Sequence, residues 1–251
     1  MPLQEDYTVT VKRRRADRFI QRDVLHRALA SIRDARDIVV FDLDSTLLNN
    51  HPRQARIVRE FGRSIGDARL EQCQPSHWAD WNLETPLRRL GLSEEEVEAI
   101  VPAARKFWQR RFFTSEYCID DVAMPGAVSF LAEVDARGAT ICYVTGRHTE
   151  MGTGTVETFR REGFPLPDED RVHLLLKPNF SFNDDGWKVE ARTRLREIGR
   201  VVSAFDNEPS HINSYHLGID GCFAVHLDTD HSERPIEVHD SIPSIRDFVL
   251  S

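Results

Sequence analysis

The run Val39-Val40-Phe41-Asp42-Leu43-Asp44-Ser45-Thr46-Leu47-Leu48 constrains the fold of this chain more than any other segment, because a β-favouring apolar stretch stops at two aspartates spaced one residue apart. A strand turns successive side chains to opposite faces, so Asp42 and Asp44 share one side where the strand ends and its peptide groups open to solvent. Two carboxylates held that close repel each other. The repulsion calls for a hard cation with oxygen ligands, a Lys or Arg, or a group that carries charge transiently. A plainer reading makes the two aspartates turn formers and helix caps. Two further runs weigh against it: Ala139 to Val144 ends in Thr145-Gly146-Arg147-His148, and Arg200 to Phe205 ends in Asp206-Asn207-Glu208. Three buried-looking strands thus end in polar groups, and in an open parallel sheet the carboxyl ends of the strands form the ligand crevice.

Between these strands the pattern is helical. Asp17 to Arg33 is amphipathic, with Phe19, Ile20, Leu25, Leu29 and Ile32 as its apolar positions. The first strand runs from about Asp37 to Leu43. Helical segments follow at Arg53 to Phe61 and at Ser93 to Phe113, the second opened by a capping box of Ser93 and Glu96. Pro125-Gly126 starts a helix over Ala127 to Ala136, which Gly138 ends before the next strand. Val172 to Leu176 reads as a strand, Trp187 to Ile198 as a helix and Cys222 to Leu227 as a last strand. Alternating strands and helices predict right-handed crossovers and a Rossmann-like parallel α/β sheet with helices on both faces. Residues 49–121 are too many for a simple crossover and read as an inserted helical cap domain. The expected organisation is a core of 17–48 and 122–251, the cap, and an arm over 1–16.

Composition agrees. At 251 residues and 40% hydrophobic, the chain is long enough for a substantial core. It has no apolar run of membrane-spanning length, and Met1 to Thr10 lacks the pattern of a secretory signal, so a cytoplasmic protein with no membrane partner is expected. Cys73, Cys118, Cys142 and Cys222 show no paired spacing, and Cys142 and Cys222 sit in apolar strands; reduced structural thiols are expected. A net charge of −8 argues against a nucleic-acid partner. The basic run Lys12-Arg13-Arg14-Arg15 reads as a solvated arm. Only Lys12, Lys106, Lys177 and Lys188 are lysines, which makes a Lys at a motif position more informative.

The ordered set of motifs over about residues 37 to 226 resembles the haloacid dehalogenase superfamily, mostly magnesium-dependent phosphatases. Asp42 to Thr46 matches its Asp-x-Asp-x-Thr, Thr145 its strand-closing Thr or Ser, and Asp206 with its neighbours its later acidic cluster. The resemblance implies phosphoryl transfer from a small phosphorylated substrate through an aspartyl intermediate, with a helical cap selecting the substrate. Asp42 is then the nucleophile, and Asp44 gives a proton to the leaving oxygen and later takes one from water, a role that needs a raised pKa. An Asp at that second position also sets the chain apart from family members that cleave carbon–halogen bonds. Thr145 donates to a phosphoryl oxygen beside the backbone of Gly146, and Arg147 is a phosphate or carboxylate partner. For the motif lysine, Lys188 in the first turn of a helix is preferred over Lys177, which would contact substrate or hold the loop. Mg2+ falls to Asp42, Asp206 and the backbone carbonyl of Asp44. The chain departs from the family's usual forms at Asn207, a neutral oxygen donor at the acidic cluster, and at Ser45, where Gly is commoner and the cost of Ser is expected to be slight. A phosphomutase or phosphotransferase would use the same residues, and a non-catalytic binder of phosphorylated ligands would retain the pocket.

Other features carry less. Met151-Gly152-Thr153-Gly154-Thr155 reads as a turn opening a helix rather than a phosphate loop. The scattered histidines, His211 and His216 among them, lack ligand spacing. His77, Trp78 and Trp81 read as packing residues of the insert, with pocket lining as the alternative. The oligomeric state is open.

Overall fold

The computed structural model describes residues 14–168, 170–232 and 234–250. Helix α1 (Gln21–Ala30) leads into β1 (Asp37–Phe41), and a tight turn carries the chain into β2 (Leu48–Asn49). A helical stretch follows, α2 (His51–Ile65), α3 (Glu84–Arg89), α4 (Glu94–Phe112) and α5 (Ser115–Cys118), and the chain returns through β3 (Val122–Ala123), antiparallel to β2. Strand and helix then alternate: α6 (Ala127–Ala136), β4 (Thr140–His148), α7 (Gly152–Glu162), β5 (Val172–Lys177), α8 (Asp184–Ile198), β6 (Arg200–Asp206), α9 (Pro209–Gly218), β7 (Phe223–Leu227) and β8 (Ser244–Ile245).

Six strands form one parallel sheet in the order β5-β4-β1-β6-β7-β8. The period-two alternation of β1 decides which helices cover which face. Val39 and Phe41 join the cluster built with α1, α6 and α7, while Ile38 and Val40 join the one built with α8 and α9. Each face therefore buries its own apolar layer, which is why β1 reads as an almost unbroken apolar run. Sequential strands leave β1 first on one side and then on the other, so the carboxyl ends of β4, β1 and β6 meet at the point where the winding reverses, the place where such sheets bind ligands.

The segment from α2 to α5 has an apolar cluster of its own. Ala55, Val58 and Phe61 of α2 pack with Leu70, Trp78, Leu87 and Val97. The capping box forms as expected: Ser93 Oγ accepts from Glu96 N at 3.3 Å and a Glu96 carboxylate oxygen accepts from Ser93 N at 2.7 Å. Among the described residues no helix is long and apolar enough to cross a membrane.

Several expectations are corrected. The first helix is shorter than 17–33: a 3-10 turn (Arg15–Arg18) precedes α1, and Ile20, expected to pack, is 67% exposed as the residue before the helix. Lys12 and Arg13 lie outside the described residues. Arg15 is not solvated, because its guanidinium donates to Ser244 Oγ and to the carbonyls of His239 and Ile242. Cys222 precedes β7 instead of lying in it, and β8 was not expected. All four cysteines are buried and unpaired; burial pushes the thiols of Cys73, Cys142 and Cys222 up to about 12, which leaves them protonated and unreactive.

The glycine-rich Met151–Thr155 stretch is the start of α7, and its reason is steric. A Cβ on Gly154 would lie 2.0 Å from the carbonyl oxygen of Ser115, so only glycine lets α7 touch α5. Ser45 holds φ 61 in the turn after β1, where Ser45 N donates to Leu48 O at 2.8 Å. A left-handed conformation costs a non-glycine residue about 1 kcal/mol, so the substitution is not as neutral as expected.

Candidate active site

Three strand ends place the central charges. Asp42 is the residue after β1, tied down by its N–H donating to Phe205 O at 2.9 Å, and Asp206 closes β6. Lys188 reaches between them from α8. Its ammonium donates to Asp42 Oδ1 at 2.6 Å, to Asp206 Oδ2 at 2.9 Å and to the carbonyl of Val144 at 2.8 Å. The helix begins earlier than expected because Asn183 caps it, accepting from Gly186 N at 3.0 Å, so Lys188 sits in its second turn. Lys177 is not part of this cluster; it pairs with Asp184 at 2.6 Å.

Charge in the cluster does not balance: two carboxylates face one ammonium, all three buried. Burial pushes the Asp42 carboxyl up, against the pull of Lys188 and with help from Asp206 and Asp44. The Lys188 ammonium, which burial alone would weaken, is held charged by Asp206 and Asp42. This excess of anionic oxygen suits a divalent cation with oxygen ligands. Among the described residues no three His, Cys, Asp or Glu side chains converge as a complete cage, so such an ion would need the Asp44 carbonyl, water or substrate to complete its shell.

Asp44 departs from expectation. Its carboxylate accepts from Arg147 Nε at 2.9 Å, Arg147 Nη2 at 2.8 Å and Arg53 Nη2 at 2.6 Å. Burial works to raise its pKa, but the two guanidiniums outweigh burial and hold it well below the usual carboxylate range. The raised pKa expected for a proton donor is thus reversed in this conformation. Both arginines also grip Asp121, Arg147 at 2.5 Å and Arg53 at 2.9 Å, in a buried network of two cations and two anions. Nothing in the local pattern marks Arg53 or Asp121. Arg53 is one of four arginines on α2, and its complete burial is decided by the packing of the insert on the core.

The other expected residues divide. Thr145 and Gly146 line the cavity above Asp42; Thr145 Oγ1 accepts from Arg147 N at 3.1 Å, and its carbonyl accepts from Trp187 Nε1 at 2.8 Å. Arg147 lines the cavity too, but its guanidinium is engaged by Asp44, Asp121 and Thr155, which leaves it as a fixture of the network rather than a free substrate partner. Asn207 is likewise occupied, accepting from Thr46 Oγ1 at 3.1 Å and donating to Asp230 O at 2.5 Å. Glu208 turns away to Ser232 and Arg234, at 2.8 and 3.0 Å. Of the acidic cluster, Asp206 is the residue that shares the Lys188 ammonium with Asp42.

The cavity holds about 720 Å3, and its walls come from the insert, the β5–α8 loop and the 230s loop. Trp81 lines it, whereas Trp78 is buried inside the insert and the His77 ring accepts from Gln74 N. His211 lines it as well, 2.9 Å from Asp185.

Residues 36–172 match the family model of the haloacid dehalogenase-like hydrolases, more than half of the chain, and the chain belongs to that family. Lys188 and Asp206 lie beyond the matched stretch. None of the curated protein sequences matches the chain. Solved structures with a similar fold include protein tyrosine kinase A from Mycobacterium tuberculosis, at 18% identity and TM-score 0.50 over 85% of this chain and 94% of that one. A haloacid dehalogenase-like family hydrolase from Streptococcus pneumoniae is similar at 12% and 0.45 over 81% and 89%. Tungstate-bound class C acid phosphatase from Bacillus anthracis is similar at 16% and 0.42 over 74% of this chain and 63% of that one. At these identities the likeness is one of fold.

Proposed function

We propose that the chain is a magnesium-dependent phosphomonoester hydrolase that acts on a small phosphorylated metabolite through an aspartyl-phosphate intermediate, with residues 49–121 as a cap over a core of 17–48 and 122–251. The observation that carries the reading is the Lys188 ammonium bridging Asp42 and Asp206 on the floor of a cavity of about 720 Å3. A retained binding pocket has no need of a buried carboxylate pointing at its ligand. Four buried, unpaired thiols suit a reducing compartment, and a cytoplasmic location is part of the proposal.

In the first half of the reaction an Asp42 carboxylate oxygen attacks phosphorus, and the bond from phosphorus to the ester oxygen breaks. Lys188 and the hydroxyl of Thr145 offset negative charge on the phosphoryl oxygens, and the backbone of Gly146, which lines the same cavity, shares that task. In the second half water attacks phosphorus, and Asp42 leaves as a carboxylate. Asp44, ionised between Arg53 and Arg147, is in the state that accepts a proton from this water. Donating a proton to the leaving oxygen requires that at least one of the two guanidiniums let go, which makes the insert's Arg53 part of the timing. Magnesium would be held by the carboxylates of Asp42 and Asp206 and the carbonyl of Asp44, and would supply positive charge to the phosphoryl group.

The test is phosphate release from a broad panel of phosphoesters, with magnesium and with chelator, for the wild type and Asp42→Asn. Magnesium-dependent release that Asp42→Asn abolishes is the expected result. Release only when an alcohol or sugar acceptor is added would replace hydrolysis by phosphotransfer, and no release with either would remove the enzymatic reading.

A further inference from the structure

The proposed reaction explains the floor of the cavity but not its walls. Above the charged cluster the insert contributes Trp81, Trp108, Phe112 and Phe113, and the β5–α8 loop contributes Phe180 and Phe182. Trp108 stacks on Phe112 at 4.3 Å, and Phe113 meets Phe180 edge to face at 4.9 Å, so the two sides of the cavity touch through rings. Ordinary packing accounts for Phe112, which is buried. It does not account for Phe180 and Phe182, which are 55% and 37% exposed on a short loop at the mouth. Phe180 keeps one edge on Phe113, yet more than half of its surface and more than a third of that of Phe182 stay in water, which forfeits burial unless a ligand completes it.

Charge narrows the ligand further. Among the described residues six carboxylates line the cavity, Asp42, Asp44, Asp184, Asp185, Asp206 and Glu208, against four cations, Arg147, Lys177, Lys188 and Arg234. Each of the four already lies within 3.0 Å of a carboxylate. A phosphoryl group is served by the floor, but a second anion on the same substrate would meet an acidic mouth with no unpaired cation among the described lining residues to receive it. The volume of about 720 Å3 suits a ring-sized group.

We infer that the substrate is a phosphomonoester whose leaving group is an uncharged aromatic ring, packed against the wall formed by Trp108, Phe113 and Phe180. The inference rests on the phosphatase reading and adds the substrate class to it. The phosphoryl bond changes are those given above; the ring leaves as its neutral alcohol.

The test compares three primary phosphate esters whose leaving alkoxides are chemically alike: ethyl phosphate, 2-phenylethyl phosphate and the 4-carboxylate of the latter. Steady-state turnover with magnesium is measured for each, and calorimetric binding of the same three is measured on Asp42→Asn. Since a single methylene in an apolar pocket is worth about tenfold or more, 2-phenylethyl phosphate should exceed ethyl phosphate in kcat/KM by at least about tenfold, mainly through KM. The carboxylated ester should fall back by about tenfold. Phe180→Ala should shrink the phenylethyl-to-ethyl ratio about five- to tenfold, with Phe113→Leu as an independent variant on the opposite wall. Equal use of the ethyl and phenylethyl esters, or better use of the carboxylated one, would overturn the inference while leaving the phosphatase reading intact. If none is hydrolysed, the phosphatase reading is decided by the broad panel, and the subsite by binding alone: tighter binding of the phenylethyl ester supports the aromatic subsite, and equal or weaker binding removes it.

Discussion

Arg53→Met should unfold the protein at a markedly lower temperature, although it lies in the insert and not in the core sheet. The four-membered network of Arg53, Arg147, Asp44 and Asp121 is balanced, two charges of each sign, and Arg53 and Asp121 are both fully buried. Without Arg53, two carboxylates share Arg147. Removing one partner of a buried ion pair costs about 3–5 kcal/mol, because the remaining charge cannot be hydrated. The guanidinium also lies 3.8 Å from the Phe112 ring centroid, a contact that Met replaces in part. For a chain of this size each kcal/mol shifts the midpoint by about 2–4 °C, so the fall should be on the order of 6–20 °C in thermal unfolding followed by circular dichroism at neutral pH. Adding Asp121→Asn returns the site to one cation and one anion and should recover more than half of the loss. A midpoint that moves by less than about 2 °C in the single variant, or a double variant no more stable than the single, would refute the charge-balance reasoning.

His226 is buried between β6 and β8, its Nε2 on Asn207 O at 3.1 Å and its Nδ1 on Ser244 Oγ at 3.1 Å, and burial lowers its pKa from 6.5 to about 4. The unfolded chain therefore binds the proton first as pH falls. Stability should be intact above about pH 6.5 and lose about 3 kcal/mol by about pH 4 through this group; the difference in urea midpoints between wild type and His226→Gln across that range reads it, and parallel pH profiles would count against it. Gly154→Ala should destabilise by about 1–3 kcal/mol despite better helix propensity, since α5 and α7 must separate, and a midpoint that rises would show that the contact yields easily. Ser45→Gly should stabilise by up to about 1 kcal/mol in denaturant unfolding, and a loss instead would mean that the Ser45 side chain offsets its backbone strain. Lys188→Met should lower kcat/KM by about a thousandfold and Lys177→Met by no more than about tenfold, because Lys177 pairs with a half-exposed carboxylate; equal losses would make both lysines part of the floor.

The parts of this molecule that follow from local pattern could be read before any coordinates. The apolar run of β1 and the polar residues closing three strands gave the sheet and the meeting of Asp42, Asp206 and Thr145. The resemblance to the family favours Lys188 over Lys177, and it is Lys188 that reaches Asp42 and Asp206, from the second turn of α8 instead of the first. What could not be read depends on contacts between distant segments. Arg53 and Asp121 are 68 residues apart, and their burial exists only once the insert closes on the core. The same closure sets the pKa of Asp44, where the proton-donor role called for the opposite sign. Arg147 and Asn207 line the cavity, but Asp121 and Asp230 take up hydrogen-bonding capacity that was expected to serve the substrate. The strain at Ser45 lies in a dihedral angle that the residue type does not reveal, and Phe180 and Phe182 sit on a loop with no periodicity to mark them.

The pairing of β2 with β3 has a consequence for how the chain reaches its native state. Residues 50–121 leave and re-enter through neighbouring backbones, so the core experiences the whole insert as the loop of a hairpin. Closing a flexible loop of about seventy residues, compared with one of four, costs on the order of 2–3 kcal/mol in chain entropy. That cost falls once α2 and α4 have packed on each other, because the excursion is then a compact body with its ends already drawn together. The expected folding order has the insert assemble before β3 docks beside β2 and β4 beside β1, so substitutions within the α2–α4 contact should slow refolding, and ones that only speed unfolding would refute that order.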